Sequence, residues 1–155
     1  MRALVLLALR AWNWGDSDRA LELGQRALAI AIRLNDVALQ TLANYSLGRS
    51  AYARGDYRQG AQVLRQVAET RQGDRRYEWL ITTAHSRALL IWCLAELGKF
   101  AEAMAESEQA LRIAREVDHA GILILACQSL GFVSLRRALS PWPSHRSNAP
   151  WSCAG

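Results

Sequence analysis

Gly15-Asp16, Gly55-Asp56 and Gly98-Lys99 divide this chain into segments of nearly equal length. The glycines stand 40 and 43 residues apart, and each is followed at one fixed distance by a small residue, Ala20, Gly60 or Ala103. The pattern continues as Ala27-Leu28, Val67-Ala68 and Ala110-Leu111. Between these marks apolar residues recur at helical spacing, and no stretch alternates as a strand would. A period in this range, filled with helical patterning, implies stacked helical hairpins rather than one globular core. The expectation is an all-α fold of about seven helices, an α-solenoid.

The turn chemistry sets approximate boundaries. Glycine can end an outgoing helix in the left-handed conformation, and the aspartate after it can cap the returning helix. Hairpins are expected at about 2–34, 37–70 and 78–117, with a lone helix at 119–137, opened by Asp118-His119. Residues 1–137 make up the repeat domain. Ala20, Gly60 and Ala103 are expected where the two helices of a hairpin cross most closely, because a larger side chain would push them apart. Leu7, Leu47, Leu90 and Leu130 occupy the matching place on the outgoing helices. Leu47-Gly48 and Leu130-Gly131 repeat a pair whose glycine would admit a neighbouring helix.

Residues 138–155 break the period and form an irregular tail with all three prolines of the chain. Two readings stand: a flexible tail, or a shifted reading frame. Back-translating Trp142 to Gly155 with GC-rich codons and dropping two bases yields Leu-Glu-Arg-Ala-Leu-Glu-Leu within a longer segment, much like a return helix.

Composition narrows the function classes. Hydrophobic residues make up 51% of the chain, enough for a continuous core. The net charge of +5 is carried by arginines scattered among acids. Only Arg71, Arg75 and Arg76 group tightly, beside Asp74, so nucleic-acid binding is not expected. Cys93, Cys127 and Cys153 show no C-x-x-C spacing. Their odd number suits a reducing compartment, and a cytoplasmic location is expected. Cys93 and Cys127 read as inert core residues. The apolar run from Gly121 to Leu135 is short for a membrane span and contains Gln128 and two serines. The run from Ala3 to Leu9 is short for a signal peptide. His85, His119 and His145 lack ligand-spaced partners, so no metal or cofactor is expected. No nucleophile pairs with a base, and Glu102, Glu106 and Arg112 read as a solvated face, so the chain is not expected to be an enzyme.

Leu47-Gly48, Gly55-Asp56-Tyr57, Ala103, Ala110-Leu111, and Gly15-Asp16 with Ala20 and Ala27-Leu28 resemble the tetratricopeptide repeat family. The resemblance covers about residues 2–137, with repeats longer than the usual 34 residues. Gly24, Gly60 and Val67 depart from the family pattern, as does a fourth hairpin without its return helix. The Arg- and Ala-rich style looks like the C-terminal arrays of bacterial signalling proteins such as nucleotide cyclases and ATP-dependent regulators. No phosphate-binding G-x-x-x-x-G-K-[ST] motif occurs.

The resemblance implies a right-handed superhelix that binds a peptide or protein in a concave groove lined by outgoing helices. It places Trp12, Tyr45, Arg49, Tyr52, His85, Trp92, Gln128 and Phe132 on that inner surface. Aromatic residues and arginine dominate interface energies when buried. The basic and asparagine clamp of some relatives would fall on Val5, Leu9, Ser46, His85 and Leu89, none of which suits a carboxylate. The implied function is a protein–protein interaction scaffold, a regulatory module of a bacterial signalling protein. The alternative is a nucleic-acid-binding arm of a transcription regulator. A homodimer through the terminal helix is expected as well.

Overall fold

The computed structural model describes residues 2–70 and 77–140, which form seven α-helices and, among the described residues, no strand. The helices are α1 (Arg2–Asn13), α2 (Ser17–Arg33), α3 (Val37–Ala53), α4 (Tyr57–Glu69), α5 (Tyr77–Glu96), α6 (Phe100–Val117) and α7 (Ala120–Leu139). Arg71, Asp74, Arg75, Arg76, His145, Cys153 and the tail from Pro141 onward lie outside the described residues.

The turns follow from local chemistry. Gly15, Gly55 and Gly98 adopt φ of 82°, 78° and 73°, which a side chain would strain. Asp16 and Asp56 then cap α2 and α4, their carboxylates accepting from the Arg19 and Gln59 amides at 2.9 and 3.2 Å. Lys99 stands where the third cap would be and makes no capping bond. Its Nζ instead donates to Glu102 at 3.0 Å, a hydrogen bond that holds the Glu102 carboxyl below the usual range. Asp36 caps α3 through the Leu39 amide. Asp118 and His119 do not act together as expected. Asp118 ends α6 in the left-handed region, and His119 Nδ1 accepts from the Ile122 amide to start α7.

Each return helix lies between two outgoing helices: α2 touches α1 and α3, α4 touches α3 and α5, and α6 touches α5 and α7. The outgoing helices also touch one another in order, α1 to α3, α3 to α5 and α5 to α7. The described return helices stand further apart, and α4 reaches α6 through the Arg65 side chain, which pairs with Glu102 at 3.1 Å and Glu106 at 3.8 Å. The apolar core is correspondingly divided along the stack. Ala8, Ala11, Ala20 and Leu23 pack within the first hairpin. Val5, Ala27 and Ala43 join it to the second. The largest cluster includes Leu64, Leu90, Ile91 and Leu94. Ala114, Ile122 and Ala126 join α6 to α7.

Small residues govern these contacts. Ala20 and Ala103 are fully buried, and a Cβ added at Gly60 would lie 3.1 Å from Cys93 Sγ. Gly24 makes room for Leu47, whose Cδ2 would lie 2.9 Å from an added Cβ. Gly48 makes room for Leu64, at 2.5 Å.

Four further expectations need correction, and three share one cause: the ends of the stack. Leu7 is 49% exposed, although Leu90 at the same repeat position is fully buried. Leu47 packs on the preceding return helix, and no described helix precedes α1. Gly131 admits no neighbour among the described residues, since none of their atoms lies within 4 Å of an added Cβ. Cys127 is exposed on the same uncovered side of α7, whereas Cys93 is buried. The fourth correction concerns Glu106, which is not part of a solvated face. It pairs with Arg87, whose side chain is 9% exposed. Finally, α7 extends beyond the apolar run seen in the sequence. Its 20 residues, at mean hydropathy 1.5, are long and apolar enough to cross a membrane by length and composition, with 22% of that window buried.

Candidate functional site

Side chains from α1, α3, α5 and α7 converge into two groups on the layer of outgoing helices. Near the first turn, the Trp12 indole donates from Nε1 to the Arg49 carbonyl at 3.2 Å. The Arg49 guanidinium lies 3.8 Å from the Trp12 ring centroid and 5.4 Å from that of Tyr45. It also donates to Asn13 Oδ1 at 3.5 Å. Stacking of this kind orients a guanidinium while leaving donors at its edge. Among the described residues no carboxylate pairs with Arg49. Burial pushes the Tyr45 phenol up, and Arg49 partly opposes that shift.

The second group is a ladder of rings. Tyr57 lies 5.7 Å from Tyr52, Tyr52 lies 6.0 Å from Trp92, and Trp92 lies 5.7 Å from Phe132. All three pairs are tilted, the arrangement that aromatic quadrupoles favour. Arg136 covers the far end, 5.9 Å from the Phe132 centroid, and forms an ion pair with Glu96. The Tyr52 phenol is pushed up by burial first, and then by Glu96, Tyr57 and Cys93, against Arg136. Trp92 Nε1 is buried without a hydrogen-bond partner among the described residues, a polar group whose burial is costly when unpaired.

The structure therefore brings together six of the eight residues chosen from the sequence: Trp12, Tyr45 and Arg49 in one group, and Tyr52, Trp92 and Phe132 in the other. Each is half-buried. His85 and Gln128 are exposed and join neither group. His85 Nδ1 turns back on its own helix, 2.8 Å from the Ile81 carbonyl oxygen.

Four residues escaped the sequence reading. Tyr57 extends the ladder, and the Glu96–Arg136 pair closes it. Arg87 lies beneath this layer, paired with Glu106 and donating to the Ala68 carbonyl at 3.2 Å. An arginine directly before the apolar run Ala88–Ala95 was the available signal, because a buried charge requires a partner. Beside Arg87 is a cleft of about 60 Å³, lined by Ala84, Ala110, Ile122, Ala126 and Ser129 among others. That is small against the several hundred Å³ typical of ligand pockets. Among the described residues no three His, Cys, Asp or Glu side chains group as metal ligands would. Comparison with protein-family models, with curated proteins and with solved structures finds no match.

Proposed function

We propose that this chain is a tetratricopeptide-like scaffold that binds a protein or peptide partner across its outgoing helices. The observation that carries this reading is the convergence of Trp12, Tyr45, Arg49, Tyr52, Trp92 and Phe132. These residues come from four helices and are separated by up to 120 positions, yet they form two connected groups on one layer. Core packing alone would favour aliphatic residues there, as in the clusters beneath. Half-buried aromatic rings and a stacked arginine present area at low entropic cost, as interface hot spots do. The helix contacts support a groove as well. Neighbouring outgoing helices pack closely, whereas α4 and α6 meet through the long Arg65 side chain, and a stack curves towards its closer-packed layer. The preferred ligand is an extended or helical segment with aromatic or large aliphatic anchors. A regulatory role within a bacterial signalling protein fits such a scaffold.

The test begins with a peptide library selected against the immobilised full chain. Affinities of the selected peptides are then measured for Arg49→Ala and Tyr52→Ala, with helicity checked by circular dichroism. Each substitution should cost about 1 kcal/mol or more, roughly fivefold or greater. Selected peptides that bind both variants as tightly as the parent chain would refute the groove. The rival reading, a nucleic-acid-binding arm, calls for an affinity that collapses as salt rises.

A further inference from the structure

Arginines that reach from one helix to another in this stack end on carboxylates. Arg54 pairs with Asp18, Arg65 with Glu102, Arg87 with Glu106 and Arg136 with Glu96. Arg49 is the exception among the described residues. From α3 it reaches α1, where its guanidinium lies 3.8 Å from the Trp12 centroid and donates to Asn13 Oδ1 at 3.5 Å. That bond is long, and neither an indole nor an amide carries a neutralising charge.

The surroundings prepare this guanidinium for an anion. It is half-buried between Trp12 and Tyr45, where burial also pushes the Tyr45 phenol up. Partial exclusion of water strengthens a hydrogen bond to a charged group. The Trp12 ring covers a face of the guanidinium, so an incoming group meets its edge. A carboxylate fits that edge with two parallel bonds.

The setting also selects among anions. Phosphorylated segments and nucleic-acid backbones call for clusters or rows of cations. No second cation joins Arg49, Trp12 and Tyr45 among the described residues, so the site suits a single carboxylate. Arg49 is flanked on both sides along the stack, by Trp12 on α1 and by Tyr52 with Trp92 on α5. A bound segment that covers both sides continues past the guanidinium, which favours an acidic side chain over a chain terminus. The charge of the whole layer agrees. Glu78 and Glu96 are the only acidic residues of the outgoing helices, against Arg2, Arg10, Arg49, Arg87, Arg136 and Arg137. The return helices carry acidic and basic residues in equal number. The outgoing layer therefore attracts an acidic segment and repels a basic one.

Resting on the groove proposed for the outgoing helices, we propose that Arg49 receives an aspartate or glutamate side chain of the bound segment, set between its aromatic or aliphatic anchors. The probe is a pair of short-peptide libraries, acetylated and amidated at their ends, with Phe, Trp, Leu or Ile around one central position. That position is Glu in one library and Gln in the other. The full chain should bind Glu peptides about tenfold or more tightly than their Gln twins, the size of a hydrogen bond to a charged group. Arg49→Gln should remove the preference with unchanged circular dichroism. A purely structural Arg49 would weaken both members of a pair alike and leave their ratio as it was. Equal binding of the twins by the parent chain, a measurement that needs no variant, would overturn the proposal and leave the groove standing. A preference that survives Arg49→Gln would overturn it too. So would a Gln peptide with a free C-terminal carboxylate that binds as tightly as the amidated Glu peptide, or Arg49-dependent binding of oligothymidylate tighter than that of any peptide. Binding to neither library would overturn the groove as well.

Discussion

Helices α3 and α7 carry the same Leu-Gly pair at the same place in the repeat, and their glycines do opposite things. Around Gly48, α2 lies on one side and α4 on the other, so the missing side chain is occupied space. At Gly131 no return helix lies opposite among the described residues, so the same absence is open surface. Identical sequence logic thus yields a packing device in the middle of the stack and an exposed seam at its end. In a stack of helical hairpins each element gains its burial from its neighbours, so a residue's role depends on where in the stack it stands.

The sharpest way to break this comparison is a matched pair of substitutions, measured by urea unfolding at concentrations where the protein is monomeric. Gly48→Ala drives a Cβ against Leu64 and should destabilise the fold by about 1–3 kcal/mol. Gly131→Ala meets no atom of the described residues and should stabilise the fold by about 0.5–1 kcal/mol, because alanine favours helix. Equal effects of the same sign would erase the distinction.

The second contrast uses cysteines. Burial pushes the Cys93 thiol from 9.0 up to about 12, while Cys127 is exposed. The unfolded chain therefore releases the Cys93 proton at lower pH than the folded chain does. The stabilising difference is fully present below pH 9 and is lost as pH rises from 9 towards 12. The slope from this one group is at most about 1.4 kcal/mol per pH unit. Urea midpoints measured up this range should fall, and Cys93→Ala should flatten the decline where Cys127→Ala does not. A decline identical in all three proteins would show that Cys93 ionises freely in the fold.

The smallest contrast lies in the caps. Asp56→Ala removes a capping bond and should cost about 1 kcal/mol. Lys99→Ala removes only an exposed ion pair with Glu102 and should change stability by less than about 0.5 kcal/mol. Thermal unfolding of the two variants decides it, and a larger loss at Lys99 would contradict the assigned cap geometry.

Much of the all-helical architecture was legible because its causes are local. Gly15 and Gly55 take positive φ and the aspartates after them cap helices for reasons confined to a few residues. Candidate site residues were legible as types. Trp12, Arg49, Tyr52, Trp92 and Phe132 stand on outgoing segments, and the family resemblance implied that they share one face. Their division into two groups was not implied, nor was the exposure of His85 and Gln128. Those depend on how far each helix is shifted against its neighbour, which no single-helix pattern encodes. Arg87 illustrates the same limit: its spacing marks an inward position, but its partner Glu106 belongs to another helix.

The sequence by itself determined where helices start and stop, which residues are small at crossings, and the period that stacks them, because these rest on backbone conformation and side-chain size within a few residues. The tertiary structure alone decided which of the repeated positions are covered. Leu7, Cys127 and Gly131 differ from their buried counterparts through neighbours rather than through their own chemistry, since burial is a property shared between two surfaces.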